Sequence, residues 1–145
     1  MTKREISLAH EFVEYIPADI QDGKIYISIP YATAAHKCCC GCGNEVVTPL
    51  SPTDWKLIFD GQSISLDPSI GNWSFACKSH YWIKNSRVVW ARMWSNEQIQ
   101  RGRAYDRSSK DHFYNKTEQD LPTARKEENH KKPSFWSKLK KILKI

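Results

Sequence analysis

No stretch of this sequence approaches the roughly 18 apolar residues that a membrane-spanning helix needs. The opening, MTKREISLAHEF, is charged from its third residue and has no apolar block of the kind that marks a secretory signal. The cysteine count, five, is odd and suits a disulfide framework poorly. These absences point to a reducing cytoplasm, where clustered thiols hold metal or do chemistry rather than cross-link the chain. Net charge is also missing from most of the protein. Residues 124–145 hold eight Lys/Arg against Glu127 and Glu128, which accounts for the whole formal charge of +6, and the other 123 residues carry 14 basic and 14 acidic side chains. A neutral body lacks the electrostatic footprint of a nucleic-acid-binding domain, so no nucleic-acid partner is expected. There is no internal repeat.

Four of the five cysteines are crowded into AAHKCCCGCGN, residues 34–44. The fifth, Cys77, forms a C-x-x-H pair with His80 in FACKSHYWI. Thiolates and neutral imidazole are the preferred ligands of zinc, and two short ligand pairs from separate turns make a tetrahedral site. Gly41 and Gly43 permit the tight backbone that such convergence requires. Cys39 and Cys42 have C-x-x-C spacing, whereas Cys38, Cys40 and Cys42 share an alternating side; spacing alone does not choose between these sets. Three thiolates with a histidine would close the coordination shell, which favours a structural role for the zinc over a catalytic one. The motifs of catalytic zinc are lacking: HEFVE at 10–14 is not H-E-x-x-H, and no H-x-E with P-C-x-x-C occurs.

Around this cluster the first ninety residues read as strands and turns. GKIYISIP has the period-two alternation of a half-buried strand, with Ile25, Ile27 and Ile29 on one face. EVVTPL (45–50), WKLIFD (55–60) and SISLDPS (63–69) are short, rich in β-branched or aromatic residues, and bounded by turn formers. Asp60-Gly61 suits a hairpin turn, and HYWIKNSRVVWA (80–91) divides into two strands around Lys84-Asn85-Ser86-Arg87. The expected fold is mainly β: a small, mostly antiparallel domain, sandwich or barrel-like, spanning residues 1–94 and stapled by one zinc. Ser95 followed by Gln98 fits a capping box that opens a short helix through NEQIQRGRAY, leaving a polar linker up to residue 134. In 135–145, Phe135, Trp136, Leu139, Ile142 and Leu143 recur at helical spacing among lysines. That pattern describes a short basic amphipathic helix, packed on its own domain or resting on an anionic membrane surface or a partner.

The segments HKCCCGCG (36–43), SLDPSIGNW (65–73) and CKSHYWIKNSRVVW (77–90) occur in order. Through them, over residues 8–91, the chain resembles a bacterial family catalogued as a domain of unknown function, number 6527. In that family's pattern the cysteines matching Cys38, Cys40 and Cys42 recur, with Cys77, Ser79 and His80 as the second element. The position of Cys39 is often another residue, which makes Cys39 a spare thiol. Family members resemble components of operons that encode ubiquitin-like proteins with activating and conjugating enzymes, some linked to phage defence. The implied partners are a ubiquitin-like protein and that machinery.

Two functions fit this setting. The first, preferred, is a peptidase that processes or removes the ubiquitin-like protein at its C-terminal glycine. With zinc structural, its nucleophile comes from elsewhere. Ser69 in DPSIGNW is the candidate, since Pro68 and Gly71 can set a turn that exposes the hydroxyl. A serine needs a base; His80 serves if Cys38, Cys40, Cys42 and Cys77 hold the metal without it, and His36 is the other choice. The second function is a non-catalytic zinc-binding adaptor that recruits substrate or conjugating enzyme, with tryptophans among Trp55, Trp73, Trp82, Trp90 and Trp94 as anchors. The feature that separates the two is a serine or histidine lining an open groove.

Overall fold

The alternating segments of the sequence fold into eight short strands. The computed structural model describes residues 4–120. It contains β1 (Ala9–Phe12), β2 (Lys24–Ser28), β3 (Thr33–Lys37), β4 (Glu45–Pro49), β5 (Lys56–Phe59), β6 (Ile64–Gly71), β7 (His80–Lys84) and β8 (Arg87–Trp90), followed by α1 (Asn96–Asp120). The strands form two four-stranded sheets, ordered β1-β2-β3-β4 and β5-β6-β7-β8. Every pairing is antiparallel except β1 with β2. This is the mainly β architecture expected from the sequence.

One core joins the sheets. Ile25 and Ile27 of β2 and Val46 of β4 are buried in the same cluster as Leu66 and Ile70 of β6 and Ile83 of β7. Burying a side chain of this size contributes roughly 1.5–3 kcal/mol, so this cluster is the main source of stability. β2 departs from the expected half-buried strand: Ile25 through Ser28 are all buried. Its second face is covered because Tyr26 packs with Ala35, Ile20, Val13 and Ile16, which include residues of the segment leading from β1 to β2.

The turns follow local chemistry. Asn85 and Ser86 have φ of 48° and 60° between β7 and β8, the left-handed pair that matches the twist of a two-residue hairpin. Between β5 and β6, the Asp60 carboxylate accepts the backbone N–H groups of Gln62 and Ser63 at 2.8 and 2.6 Å, and Gly61 has φ +94°. These bonds hold the exposed Asp60 carboxyl down at about 2.

At the start of α1 the capping box forms reciprocally: Gln98 N–H donates to Ser95 Oγ at 3.2 Å, and Ser95 N–H donates to Gln98 Oε1 at 2.9 Å. The helix does not end near Tyr105, where the polar composition suggested a linker, but continues to Asp120. Its first half is anchored rather than amphipathic. Ile99 is buried, and Lys110 pairs with Asp106 one turn back at 3.3 Å and with Asp54 at 2.7 Å. The described residues divide into two units, with the boundary between Asp111 and His112. Within the described part of the second, the Phe113 and Tyr114 rings meet edge to face. The amphipathic segment 135–145 lies outside the described residues. No helix among the described residues is long and apolar enough to cross a membrane.

Candidate active site

Ser69 sits on a bulge of β6. Leu66 is in register with Ile83 and Ile70 with Tyr81, so Asp67, Pro68 and Ser69 together face the single residue Trp82. Bulges re-aim side chains out of the alternating pattern. Here the Ser69 hydroxyl is directed at the first residue of β7: Ser69 Oγ lies 2.9 Å from His80 Nε2. On the other side of the ring, Nδ1 is 2.9 Å from the carbonyl oxygen of Arg92. A carbonyl only accepts, so Nδ1 must carry the hydrogen, and in the neutral ring Nε2 is left with its lone pair facing the serine. This is the tautomer in which Ser69 O–H donates to the imidazole, the connectivity of a nucleophile, its base and an orienting group.

Three of the five tryptophans singled out in the sequence surround His80. Their ring centroids lie 4.9 Å (Trp73), 5.3 Å (Trp94) and 5.7 Å (Trp82) from the imidazole, and Trp73 stacks on Trp94 at 5.4 Å. Two glycines make this packing fit. A Cβ on Gly71 would fall inside the Trp73 indole, and one on Gly102 of α1 would come within 2.7 Å of Trp94. Gly71→Ala should therefore displace Trp73 and with it the imidazole. Where the Ser69–His80 pair serves as nucleophile and base, a shift of about 1 Å can cost 10²-fold, and kcat is then expected to fall by roughly 10- to 100-fold with metal content unchanged. Steady-state kinetics beside metal analysis checks this, and an unchanged kcat would show that the indole does not position His80.

Ser69 opens onto a groove of about 530 Å³ lined by Pro68–Phe75, by Glu45–Thr48 of β4, and by Trp94, Ile99 and Arg103. It is a half-buried serine that lines an open cleft.

The thiol cluster joins the turn between β3 and β4 to the loop between β6 and β7. The Sγ atoms of Cys38, Cys40, Cys42 and Cys77 all lie within 4.8 Å of one another. The Cys38–Cys40, Cys38–Cys77 and Cys42–Cys77 separations are 3.4, 3.9 and 3.9 Å. A tetrahedral centre with metal–sulfur bonds of about 2.3 Å spaces its sulfurs about 3.8 Å apart, so these four fit one ion. Ser79 Oγ bridges toward the cluster, 3.0 Å from Cys38 Sγ and 3.5 Å from Cys77 Sγ, and accepts Asn72 Nδ2 at 2.9 Å. Burial pushes the Cys77 thiol up, but the Ser79 hydroxyl and backbone N–H and the neighbouring thiols outweigh it and bring the group down to about 7. Burial raises Cys38 and Cys40.

Of the candidate ligands in the sequence, the structure gathers the four cysteines and directs His80 to Ser69. Consecutive extended residues face opposite sides, so Ser79 turns to the thiols and His80 to Ser69. Cys39 is buried outside the group of four, and burial pushes its thiol up to about 12. His36, the other histidine considered as a base, is fully buried with Nε2 2.7 Å from Tyr81 Oη. Burial lowers it to about 4.

A protein-family model described as a bacterial ubiquitination-like system serine protease (BubE) matches residues 12–91. The matched span includes all four clustered cysteines, Ser69 and His80, and stops just short of Arg92 and Trp94. No curated protein and no solved structure matches the chain.

Proposed function

Because the chain belongs to the family of bacterial ubiquitination-like system serine proteases (BubE), we propose that Ser69 is its nucleophile and His80 its general base. The substrate is the ubiquitin-like protein of its own system, cut at the C-terminal glycine. The observation that carries this reading is the 2.9 Å contact between Ser69 Oγ, which lines an open groove, and the buried His80 Nε2, with Nδ1 fixed by the Arg92 carbonyl.

Ser69 Oγ attacks the carbonyl carbon of the scissile peptide while its proton passes to His80 Nε2. The imidazolium then carries N–H on both nitrogens, and the Arg92 carbonyl continues to accept from Nδ1. Collapse of the tetrahedral adduct breaks the C–N bond, and Nε2 returns the proton to the departing amine, leaving an ester on Ser69. Water deprotonated by Nε2 hydrolyses that ester and frees the C-terminal carboxylate. The tryptophans beside the imidazole limit its rotamers and exclude water from its faces. The cycle has no acidic side chain in the orienting position, and the carbonyl supplies the tautomer without neutralising the cation.

The metal of the four-cysteine site is zinc in this reading, held by Cys38, Cys40, Cys42 and Cys77. Bound there, zinc supplies a closed cross-link with no open coordination position. The chain's own residues then do the chemistry, and the cluster holds the loop that leads through Ser79 to His80 at the start of β7. An adaptor without catalysis would not need a serine and an imidazole paired in this way.

The deciding experiment is incubation of the purified, metal-loaded protein with the precursor form of that ubiquitin-like protein, followed by intact mass spectrometry. The expected result is one new C-terminus after glycine and transient mass addition on Ser69. Cleavage that survives Ser69→Ala would overturn the assignment of the nucleophile. Absence of cleavage by the folded protein would leave the adaptor function standing.

A further inference from the structure

The two sheets come close to forming a continuous wall. On one side, the segment before β1 pairs with β8: Val88 N–H donates to Ile6 O, Leu8 N–H donates to Ser86 O, and Ser7 bridges Arg87. On the other side, the end of β4 meets the start of β5, where Leu50 bridges Trp55 and Trp55 N–H donates to Pro49 O. The second seam closes only in part. β5 accompanies β6 as far as the Lys56–Asp67 pair, whereas β6 runs on to Gly71. Beyond that point, Pro68–Gly71 have lost β5, and β4 has β3 as its one neighbour. Both strands line the groove that contains Ser69.

The register of β4 shows which main-chain groups face this gap. Flanking the β3–β4 ladder, Cys38 N–H donates to Asn44 O and Leu50 N–H donates to Ala32 O. Hydrogen-bonded pairs alternate along an antiparallel ladder. Val46 and Thr48, paired with His36 and Ala34, therefore point their N–H and C=O groups at β3. Glu45 and Val47 point theirs away from it. The same parity places Pro49 O outward, where it meets Trp55 N–H. The backbone groups of Glu45 and Val47 carry no hydrogen bond among the described residues, and the Val47 side chain is 52% exposed.

We propose that the seam is the substrate's strand site. The peptide on the acyl side of the scissile bond lies extended along β4, pairs with the N–H and C=O of Val47 and Glu45, and delivers its carbonyl to Ser69. This rests on the serine-protease reading above. An unpaired edge selects main chain rather than any one side chain, and the serine in the same groove requires an occupant with a carbonyl to attack. An extended C-terminal tail satisfies both conditions. A globular face would leave the edge unpaired.

The probe is a synthetic peptide of the last ten residues of the system's ubiquitin-like protein up to its C-terminal glycine, closed by an aminomethylcoumarin amide as leaving group, and titrated against full-length Ser69→Ala protein so that binding is read without chemistry. Single N-methyl groups are placed along the peptide in turn. Methylation at alternate positions is expected to weaken binding at least about 10-fold, with the intervening positions silent. On the protein side, Val47→Pro removes one outward N–H and spares the β3 ladder, because proline is tolerated on the free side of an edge strand. Introduced beside Ser69→Ala, it should weaken peptide binding at least about 10-fold, with thermal melts and metal content showing that the fold is kept. A methylation profile without period two, or a Val47→Pro protein that binds the peptide normally, overturns the strand site. So does a peptide that fails to bind while Val47→Pro splits a dimer, since the edge then belongs to a second copy. Period-two binding without cleavage by the wild-type protein would instead keep the strand site and remove the protease reading.

Discussion

Ser69→Ala is expected to lower kcat/KM for cleavage of the ubiquitin-like precursor by about 10⁴-fold or more, while Tm moves by no more than about 3 °C. The two effects separate because of where the hydroxyl sits. Ser69 is half-buried on the bulge of β6 and, among the described residues, its hydroxyl makes one hydrogen bond, with His80 Nε2. Removing it leaves a small space next to the groove that Ser69 lines, from which a water can reach Nε2. The main chain of β6, the core residues on either side, and the four-cysteine cluster are untouched. His80→Ala should be equally inactive, and the double variant no worse than either single one, since a nucleophile and its base act as a unit. Intact mass spectrometry on all three proteins, with thermal melts alongside, checks this. Additive losses in the double variant would mean that Ser69 and His80 do not share a step.

Cys77→Ser is expected to abolish metal binding and cooperative folding together. Cys38 Sγ and Cys42 Sγ each lie 3.9 Å from Cys77 Sγ, so Cys77 ties the first thiol segment to the loop that precedes β7. Apparent binding energies of structural zinc in small peptides reach roughly 10–16 kcal/mol, a scale comparable with the whole stability of a small domain. A serine oxygen in place of one thiolate forfeits much of that. Cys39→Ala should behave oppositely: it removes a buried sulfur outside the group of four, costs on the order of 1 kcal/mol of packing, and retains one metal per chain. The contrast is diagnostic because the two residues belong to the same set of five and differ in position alone. Because thiolates are the binding form, acid should release the metal, with the apparent midpoint of unfolding falling as pH is lowered. Elemental analysis and thermal unfolding of both variants provide the test. A Cys77→Ser protein that keeps its metal and its Tm would show that the ion is held elsewhere.

Much of the fold could be read from alternation and turn chemistry. EVVTP, KLIF and the two strands around Asn85-Ser86 appear where β-branched and aromatic residues alternate between turn formers. β3 could not be read in this way. Thr33–Lys37 contains two alanines and a histidine, poor strand formers by propensity, and becomes a strand because β2 and β4 flank it and its small side chains fit where both faces are covered. The length of α1 was hidden for a related reason. Its few aliphatics suggested a linker, and the ion pair from Lys110 to Asp54 spans 56 residues of sequence. At the site, Ser69 was suggested by its turn-forming neighbours, but its distance from His80 depends on a bulge that spacing does not reveal. Cys77-x-x-His80 has the spacing of a ligand pair, and the backbone sends the two side chains apart. Lys78 intervenes with φ of 45°, after which Ser79 and His80 face opposite sides.

The group that orients His80 is a main-chain carbonyl, and every residue type possesses one. The Arg92 side chain is exposed and has no part in that bond. A scan that truncates side chains one at a time would therefore pass position 92 without comment and record a two-residue machine. Relatives could differ freely there and still hold the ring in the same way. What inheritance must preserve is the path of the chain after β8, so a one-residue insertion or deletion between Trp90 and Trp94 should do the damage that no substitution at Arg92 can. Replacing the amide that follows Arg92 by an ester, whose carbonyl is a poorer acceptor, would expose the hidden third member while changing no side chain at all.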